Sequence, residues 1–219
     1  TLKLDANGFP QQASSPTILG DPNAQYRVGV GTTVRYKNFT LSMFLDHNAG
    51  GKIWNGTKGA LYYFGRHEDQ NHTVTLTAAE AASMKTWSGQ TVDELITAGG
   101  YPSANKAADG SVTIRGKKAN LGGADVLLEE HWYLSGPGSG FTGPTEQFIE
   151  DATWTRLREL SLSYNLNSEG FRTATGFQSV QFTLTGRNLF LWTGYSGIDP
   201  DTNLTGSTQN GFGLDYFNN

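Results

Sequence analysis

The chain has no cysteine in its 219 residues, and it has no long apolar run. The first absence excludes a disulfide framework and any thiolate metal site. The second excludes a membrane-spanning helix, which needs about 20 consecutive apolar residues. A secretory signal peptide is also missing from the sequence, so we expect a mature chain or a piece of one.

An excess of basic residues is absent too. Sixteen basic and twenty acidic residues give a net charge of −4, which leaves no basic footprint for nucleic acid. Glycine is abundant, with 28 residues, and aromatic residues make up 12% of the chain. This composition favours strands, turns and long loops over helices.

Four segments alternate apolar and polar side chains, which is the pattern of strands with one apolar and one polar face. The predicted strands are residues 26–36, 39–47, 155–166 and 179–191. The first two are separated by two polar residues and predict a hairpin. The last two are joined by a short polar link, residues 167–176.

Long segments without this alternation flank the strand pairs. Short turns that alternate with long loops are typical of an outer-membrane barrel. Four strands are too few to close such a barrel, since the smallest have about eight. We therefore expect the chain to supply part of a larger sheet. Taken alone, the same alternation also fits a soluble β-sandwich.

The long segment between the strand pairs contains local signals of its own. Thr77 and Glu80 form a capping-box pattern that predicts a short helix. A second short helix is predicted over residues 92–98, a minor strand over 110–116, and a flexible connector over 135–145.

Several stretches resemble the C-terminal part of SusC/RagA-type TonB-dependent outer-membrane transporters. They follow one another in the order found in that family and extend over nearly the whole chain. They are LGDPNAQYRVGV and TVRYKNFTLSMFLDHNAGGKIWN within 19–55, FIEDATWTRLRELSLSYNL at 148–166, TGRNLFLWTGYSGIDPDTN at 185–203, and GFGLDYFNN at 211–219.

The resemblance implies an all-β fold: the C-terminal segment of a large antiparallel transmembrane β-barrel of about 22 strands. A long extracellular loop would carry the short helices. On this basis residues 1–219 form a partial barrel. Its expected parts are a first hairpin at 26–48, an extracellular loop at 49–150, a second strand pair at 151–192, and another extracellular loop at 193–219.

The resemblance also implies a function. Transporters of this family lie in the bacterial outer membrane and import glycan fragments or peptides, so no enzyme activity and no cofactor are expected. A SusD-like surface lipoprotein would act as a lid, and a TonB complex would act through a plug domain. The plug and the last strand of the family have no counterpart in the sequence, so we expect a fragment of the transporter.

Two sets of side chains are candidates for contact with other molecules. Residues on the polar strand faces would face the barrel lumen: Arg27, Arg35, Gln181 and Arg187. Aromatic residues of the long loop would stack on sugar rings or hold peptides, although they could equally form a small core of that loop: Trp54, Tyr62, Tyr63, Trp87, Trp132 and Tyr133. Aromatic residues near the strand ends predict an interfacial girdle: Tyr26, Tyr36, Phe39, Tyr164, Phe177, Phe190 and Trp192.

Other chemistries are weaker alternatives. Asp199, Asp201 and Asn203 have the spacing of a calcium loop, but Leu204 stands where an EF-hand needs glycine. Glu129 and Glu130 are a poor acid–base pair, because adjacent residues on an extended chain point to opposite sides. The competing functions are a soluble β-sandwich carbohydrate-binding module and a glycoside hydrolase fragment.

Overall fold

A computed structural model describes residues 3–99, 101, 104–202 and 213–217. The chain divides into two compact units. We name them the loop unit, which contains residues up to 19 and 54–149, and the sheet unit, which contains residues 20–53 and 150 onwards.

Strands predominate among the described residues, and the helices are short. The strands are β1 Tyr26–Tyr36, β2 Phe39–Ala49, β3 Lys52–Asn55, β4 Thr73–Leu76, β5 Asn105–Lys106, β6 Val112–Asn120, β7 Asp125–Glu129, β8 Ile149–Asp151, β9 Trp154–Leu166, β10 Val180–Thr193 and β11 Leu214–Asp215. The α-helices are α1 Gly56–Tyr63, α2 Ala78–Ser83, α3 Val92–Thr97, α4 Glu130–Leu134 and α5 Glu169–Thr175. Two 3-10 helices cover Glu68–Gln70 and Thr145–Phe148.

No helix in the described part of the chain has both the length and the apolar character needed to span a membrane.

The sheet unit is built on one antiparallel sheet of order β1-β2-β9-β10. Its strands lie where the period-two alternation predicts them. Each strand pairs with its neighbours over most of its length, so apolar residues lie opposite apolar residues and polar residues opposite polar residues in most of the sheet. Within the described residues, β1 and β10 each pair on one side only, and the sheet does not close.

The register places the apolar side chains of all four strands on one face. For example, Leu41 lies opposite Leu162, which lies opposite Leu184. This face is open to solvent, since Leu184 is 76% exposed and Val30 is 56% exposed. Apolar strands of a soluble sheet are normally covered by a second layer. The described residues provide no such layer here.

Phe44 is the exception to the alternation in β2. It lies on the polar face, opposite Gly31 of β1, and its ring lies over Gly29. A Cβ atom on Gly29 would lie 3.0 Å from the Phe44 ring, so a larger residue there would require the ring to shift. The register of β2 against β9 shifts directly after Phe44, because the pairing skips Arg158 of β9 and places Leu157 opposite Leu45.

The loop unit has its own small sheet and core. Strands β4, β6 and β5 pair in that order, and β7 pairs with β6. Helices α2 and α3 contribute to a buried apolar cluster that includes Leu76, Val92, Val112, Ile114 and Leu127. A second cluster joins Phe9 and Val126 to two residues of α4, Trp132 and Tyr133.

Several local predictions need correction. The link over 167–176 is a helix, α5, which Ser168 caps and Gly176 ends with a φ of 76°. The minor strand predicted over 110–116 is β6, the central strand of the loop-unit sheet. The connector over 135–145 contains the start of a 3-10 helix. The fold is therefore not purely β, because helices occur in both units.

Helix α2 confirms the capping-box prediction. The Thr77 hydroxyl accepts from the Glu80 amide, and the Glu80 carboxylate accepts from the Thr77 amide at 2.8 Å. Lys118 of β6 also donates to Glu80. These contacts lower the pKa of Glu80 to about 2, with the Lys118 hydrogen bond the largest cause.

We predict that Glu80→Gln removes an acid-dependent part of the stability. The pKa of Glu80 lies below its ordinary value of 4.5, so its contribution is present above that value and is lost as the pH falls toward 2. Wild type should therefore melt at higher temperature than the variant at pH 7, and the gap should close below pH 2. A difference in melting temperature that stays the same at low pH would contradict the role of the Glu80 carboxylate.

Candidate functional site

The polar face of the sheet carries all four side chains predicted to face a lumen. Arg27 lies opposite Asn48, Arg35 opposite Thr40, Gln181 opposite Asn165 and Arg187 opposite Glu159. Hydroxyl pairs also cross the strands on this face, at 3.1 Å for Thr33–Ser42, 2.9 Å for Ser161–Thr185 and 3.0 Å for Ser163–Thr183. The face is thus a continuous hydrogen-bonding surface.

Asp46 is the centre of a charged cluster on this face, and the sequence did not single it out. Its carboxylate accepts from Arg27 at 2.6 and 3.2 Å and from Arg158 at 3.2 Å. Arg158 also donates to Asp201 at 3.0 Å, and Arg156 donates to Asp199 at 2.6 Å. The alternation of β2 could have placed Asp46 beside Arg27, since both fall on polar positions.

Trp154 packs under the same arginines. The guanidinium carbons of Arg27, Arg156 and Arg158 each lie 5.1 Å from the centroid of its ring. Trp154 is only 1% exposed, and of the three arginine side chains that of Arg156 is the most buried and that of Arg27 is half exposed, so the Arg156 contact is the one best shielded from water. The cluster joins β1, β2 and β9 to the segment that follows β10.

Two of the three residues considered as calcium ligands already have partners in the protein. Asp199 and Asp201 each accept a hydrogen bond from an arginine, so both carboxylates already face a positive charge. Asp201 also donates its backbone amide to the Asp199 carboxylate at 2.9 Å, as in a self-capping turn. Asn203 and Leu204 lie outside the described residues.

A cavity of about 580 Å³ lies in the loop unit. We name it the loop cavity. Three of the six aromatic residues predicted to contact a ligand line it: Tyr62, Trp132 and Tyr133. Tyr62 comes from α1 and the other two from α4, so the cavity depends on how these short helices are held.

The other three predicted aromatic residues lie elsewhere. Trp54 belongs to β3. Tyr63 packs edge-to-face with Phe141, at 5.1 Å between ring centroids. Trp87 packs against the cluster around Phe9. None of the three lines the loop cavity.

Charged residues that the sequence did not single out also line the cavity: Asp69, Lys117 and Glu146. Asp69 accepts from the Tyr62 hydroxyl and lies 3.4 Å from His67 Nδ1. The hydrogen bond from Tyr62 is the main cause that lowers the pKa of Asp69, and burial opposes it. Asp69 is therefore a charged group that the protein itself already pairs.

Glu129 holds α4 in place. Its carboxylate accepts a hydrogen bond from the His131 amide at 2.7 Å, and this bond caps the first turn of the helix. The same carboxylate lies 3.0 Å from His131 Nδ1. The side chain is 1% exposed, and burial raises its pKa above the ordinary value. Glu129, one of the two carboxyl groups weighed above as an acid–base pair, therefore has a structural role.

Comparison with known proteins places these features in context. No family model matches the chain. TonB-dependent receptor P3 of Formosa agariphila is 27% identical over 224 residues, which cover 97% of this chain and 17% of the receptor. TonB-dependent receptor P26 of the same organism is 26% identical over 196 residues, or 90% of this chain and 15% of that receptor.

The chain is homologous to part of TonB-dependent receptors. It spans about a sixth of the length of the two receptors it matches. Solved structures of the RagAB peptide importer in its open-open and closed-closed states align with 88% and 90% of the chain, at 15% and 16% identity. Both alignments have a TM-score of 0.47.

We predict that Glu129→Gln changes how the stability of the chain depends on pH. The raised pKa means that the native state favours the neutral carboxyl, so wild type should lose stability as the pH rises above 4.5. Glutamine stays neutral and keeps one acceptor for the helix cap. Urea unfolding at several pH values should show that the loss disappears in Glu129→Gln.

Glu130→Gln is the matched control for this substitution. Glu130 is the next residue, but its side chain is exposed. Its replacement should leave the pH dependence of wild type intact. If Glu129→Gln and Glu130→Gln gave the same profile, the buried carboxyl would not be the titrating group.

We predict that Asp46→Asn destabilises the sheet unit by about 2 kcal/mol, because it weakens the charge-assisted hydrogen bonds from Arg27 and Arg158, of which Arg27 is half exposed and Arg158 keeps Asp201. Glu159→Gln is the control on the same face. Its ion pair with Arg187 is largely exposed, so the loss should stay below about 1 kcal/mol. Denaturant unfolding followed by tryptophan fluorescence measures both, and equal losses would exclude a special role for Asp46.

Proposed function

We propose that the chain forms part of the barrel wall and of the outer loops of a TonB-dependent outer-membrane importer. The observation that carries this proposal is the exposed apolar face of the four-stranded sheet. A lipid-facing barrel wall alternates apolar outward and polar inward residues, and this sheet has that arrangement. The homology to TonB-dependent receptors supports the same interpretation.

An aromatic row supports the placement in a membrane. Tyr36, Phe39, Tyr164 and Phe182 lie opposite one another in register, one on each strand of the sheet. Phe39 and Tyr164 are in ring contact, with centroids 4.7 Å apart. Rows of aromatic side chains at the level of the lipid headgroups are characteristic of outer-membrane barrels.

The polar face would then line the lumen, with Arg27, Arg35, Gln181 and Arg187 facing the interior. The residues would divide as the sequence indicates: barrel strands in 26–48 and 151–192, and extracellular loops in 49–150 and 193–219. Further strands of the same protein would pair with the free edges of β1 and β10, since an open edge in lipid leaves backbone groups unsatisfied.

The partners follow from this placement and from the resemblance to SusC/RagA-type transporters. A SusD-like lipoprotein would cover the outer loops, and a TonB complex would act through a plug domain. Glycan fragments or peptides would be the cargo. A soluble carbohydrate-binding module is less consistent with the structure, because a β-sandwich buries the apolar faces of its strands.

We predict that Leu184→Arg lowers the amount of folded protein in the outer membrane. An arginine on the lipid face costs about 2–4 kcal/mol at the bilayer midplane and about 0–1 kcal/mol near the interfaces, and Leu184 lies between these levels, two residues from the aromatic row. Thr183→Arg is the matched control, because the neighbouring residue lies on the polar face. Membrane fractionation and heat-modifiable gel mobility measure the outcome. If both variants folded equally well, or if the wild-type protein fractionated as soluble, the proposal would be wrong.

A further inference from the structure

Two charged side chains that line the loop cavity have no ion-pair partner within the described residues. They are the ammonium group of Lys117 and the carboxylate of Glu146. The third charged group, Asp69, already accepts from Tyr62 and lies beside His67. The cavity therefore carries one positive and one negative charge on exposed side chains, and the charge of Lys117 also acts on Asp69.

Neutral hydrogen-bond donors are also open in this cavity. Neither the Trp132 indole N–H nor the Tyr133 hydroxyl donates to any atom in the described part of the chain. Both residues are more than nine-tenths buried, but their donor atoms are not among the fully buried polar atoms that lack a partner, so each donor is accessible to a ligand or to water.

The rest of the cavity wall is mainly apolar. Leu121 and Leu128 lie on it together with Pro10, Pro137 and Pro144. Its volume of about 580 Å³ is within the range of small-molecule sites, which are typically apolar with a few polar groups that fix orientation. A purely anionic ligand would leave Glu146 unpaired, and a purely cationic ligand would leave Lys117 unpaired.

We propose that the loop cavity binds a small amphipathic zwitterion, in which an apolar body carries both an amine and a carboxylate. The carboxylate pairs with Lys117, the amine pairs with Glu146, and the apolar body lies against Leu121, Leu128 and Trp132. The cavity lies wholly within the loop unit. This inference therefore stands on its own and does not depend on the proposed membrane function.

Phenylalanine and two analogues test the proposal by calorimetric titration of the full chain in detergent. Phenylalaninamide lacks the carboxylate, and 3-phenylpropionate lacks the amine. We expect phenylalanine to bind at least about tenfold more tightly than either analogue, because each loses one charge-assisted contact. Equal binding of all three, or no binding of phenylalanine at millimolar concentration, would overturn the proposal.

Variants identify the charged groups. Lys117→Met should weaken phenylalanine binding about tenfold but leave phenylalaninamide binding unchanged. Glu146→Gln should weaken phenylalanine and leave 3-phenylpropionate unchanged. Lys118→Met is the matched control, because the next residue of β6 points to the other face and pairs with Glu80. An effect of Lys118→Met as large as that of Lys117→Met would assign the change to overall charge and overturn the site.

A labelling experiment gives an independent readout in the membrane-bound or the purified protein. The chain has no cysteine, so Ala119→Cys places a single thiol in the cavity wall. Phenylalanine should slow its modification by a maleimide several-fold. Ala79→Cys, on the exposed surface of α2, should react at the same rate with or without phenylalanine. Lack of protection of the thiol in Ala119→Cys would contradict binding in the cavity, whatever the outcome of membrane fractionation.

Discussion

The hydrogen-bond register of four long strands is the constraint on which the sheet unit depends. Successive side chains of a strand point to opposite faces, so a slip of one residue would turn the apolar side chains onto the polar face. The register keeps the row of Tyr36, Phe39, Tyr164 and Phe182 in line. Phe44 is an apolar residue on the polar face, and the shift at Arg158 of β9 keeps Leu157 opposite Leu45 on the apolar face.

The polar face depends on the same register in another way. It brings Arg27, Asp46 and Arg158 together from three strands and places them against Trp154. Arginine suits this position because its planar group binds a carboxylate and stacks on an aromatic ring at the same time. The segment after β10 is held by the same group of arginines. The cluster thus connects the sheet to that segment by charge, in addition to the apolar contact of Tyr195 with Ile53 and Ala152.

The loop unit is organised by helix caps. Glu80 and Glu129 each help to cap a short helix of about one to two turns, which propensity alone would not stabilise. Glu129 sets the position of α4, and α4 brings Trp132 and Tyr133 to the loop cavity. Burying the Glu129 carboxyl costs free energy, because burial removes the group from water. In return, its hydrogen bond fixes α4, which forms one wall of the loop cavity. The two units therefore separate their roles, one presenting an apolar surface and the other enclosing a small space.

The sequence by itself determined the four long strands and the helix at Thr77, because period-two alternation and a capping box act over a few neighbouring residues. It also identified the polar strand face and the resemblance to TonB-dependent transporters. It did not show which loop aromatics meet: Tyr62, Trp132 and Tyr133 share a cavity, whereas Trp87 packs in a core. Only the tertiary structure decided this, and it also placed Lys117 at the cavity and Asp46 between two arginines. Those contacts join residues distant in the chain, and no local pattern encodes them.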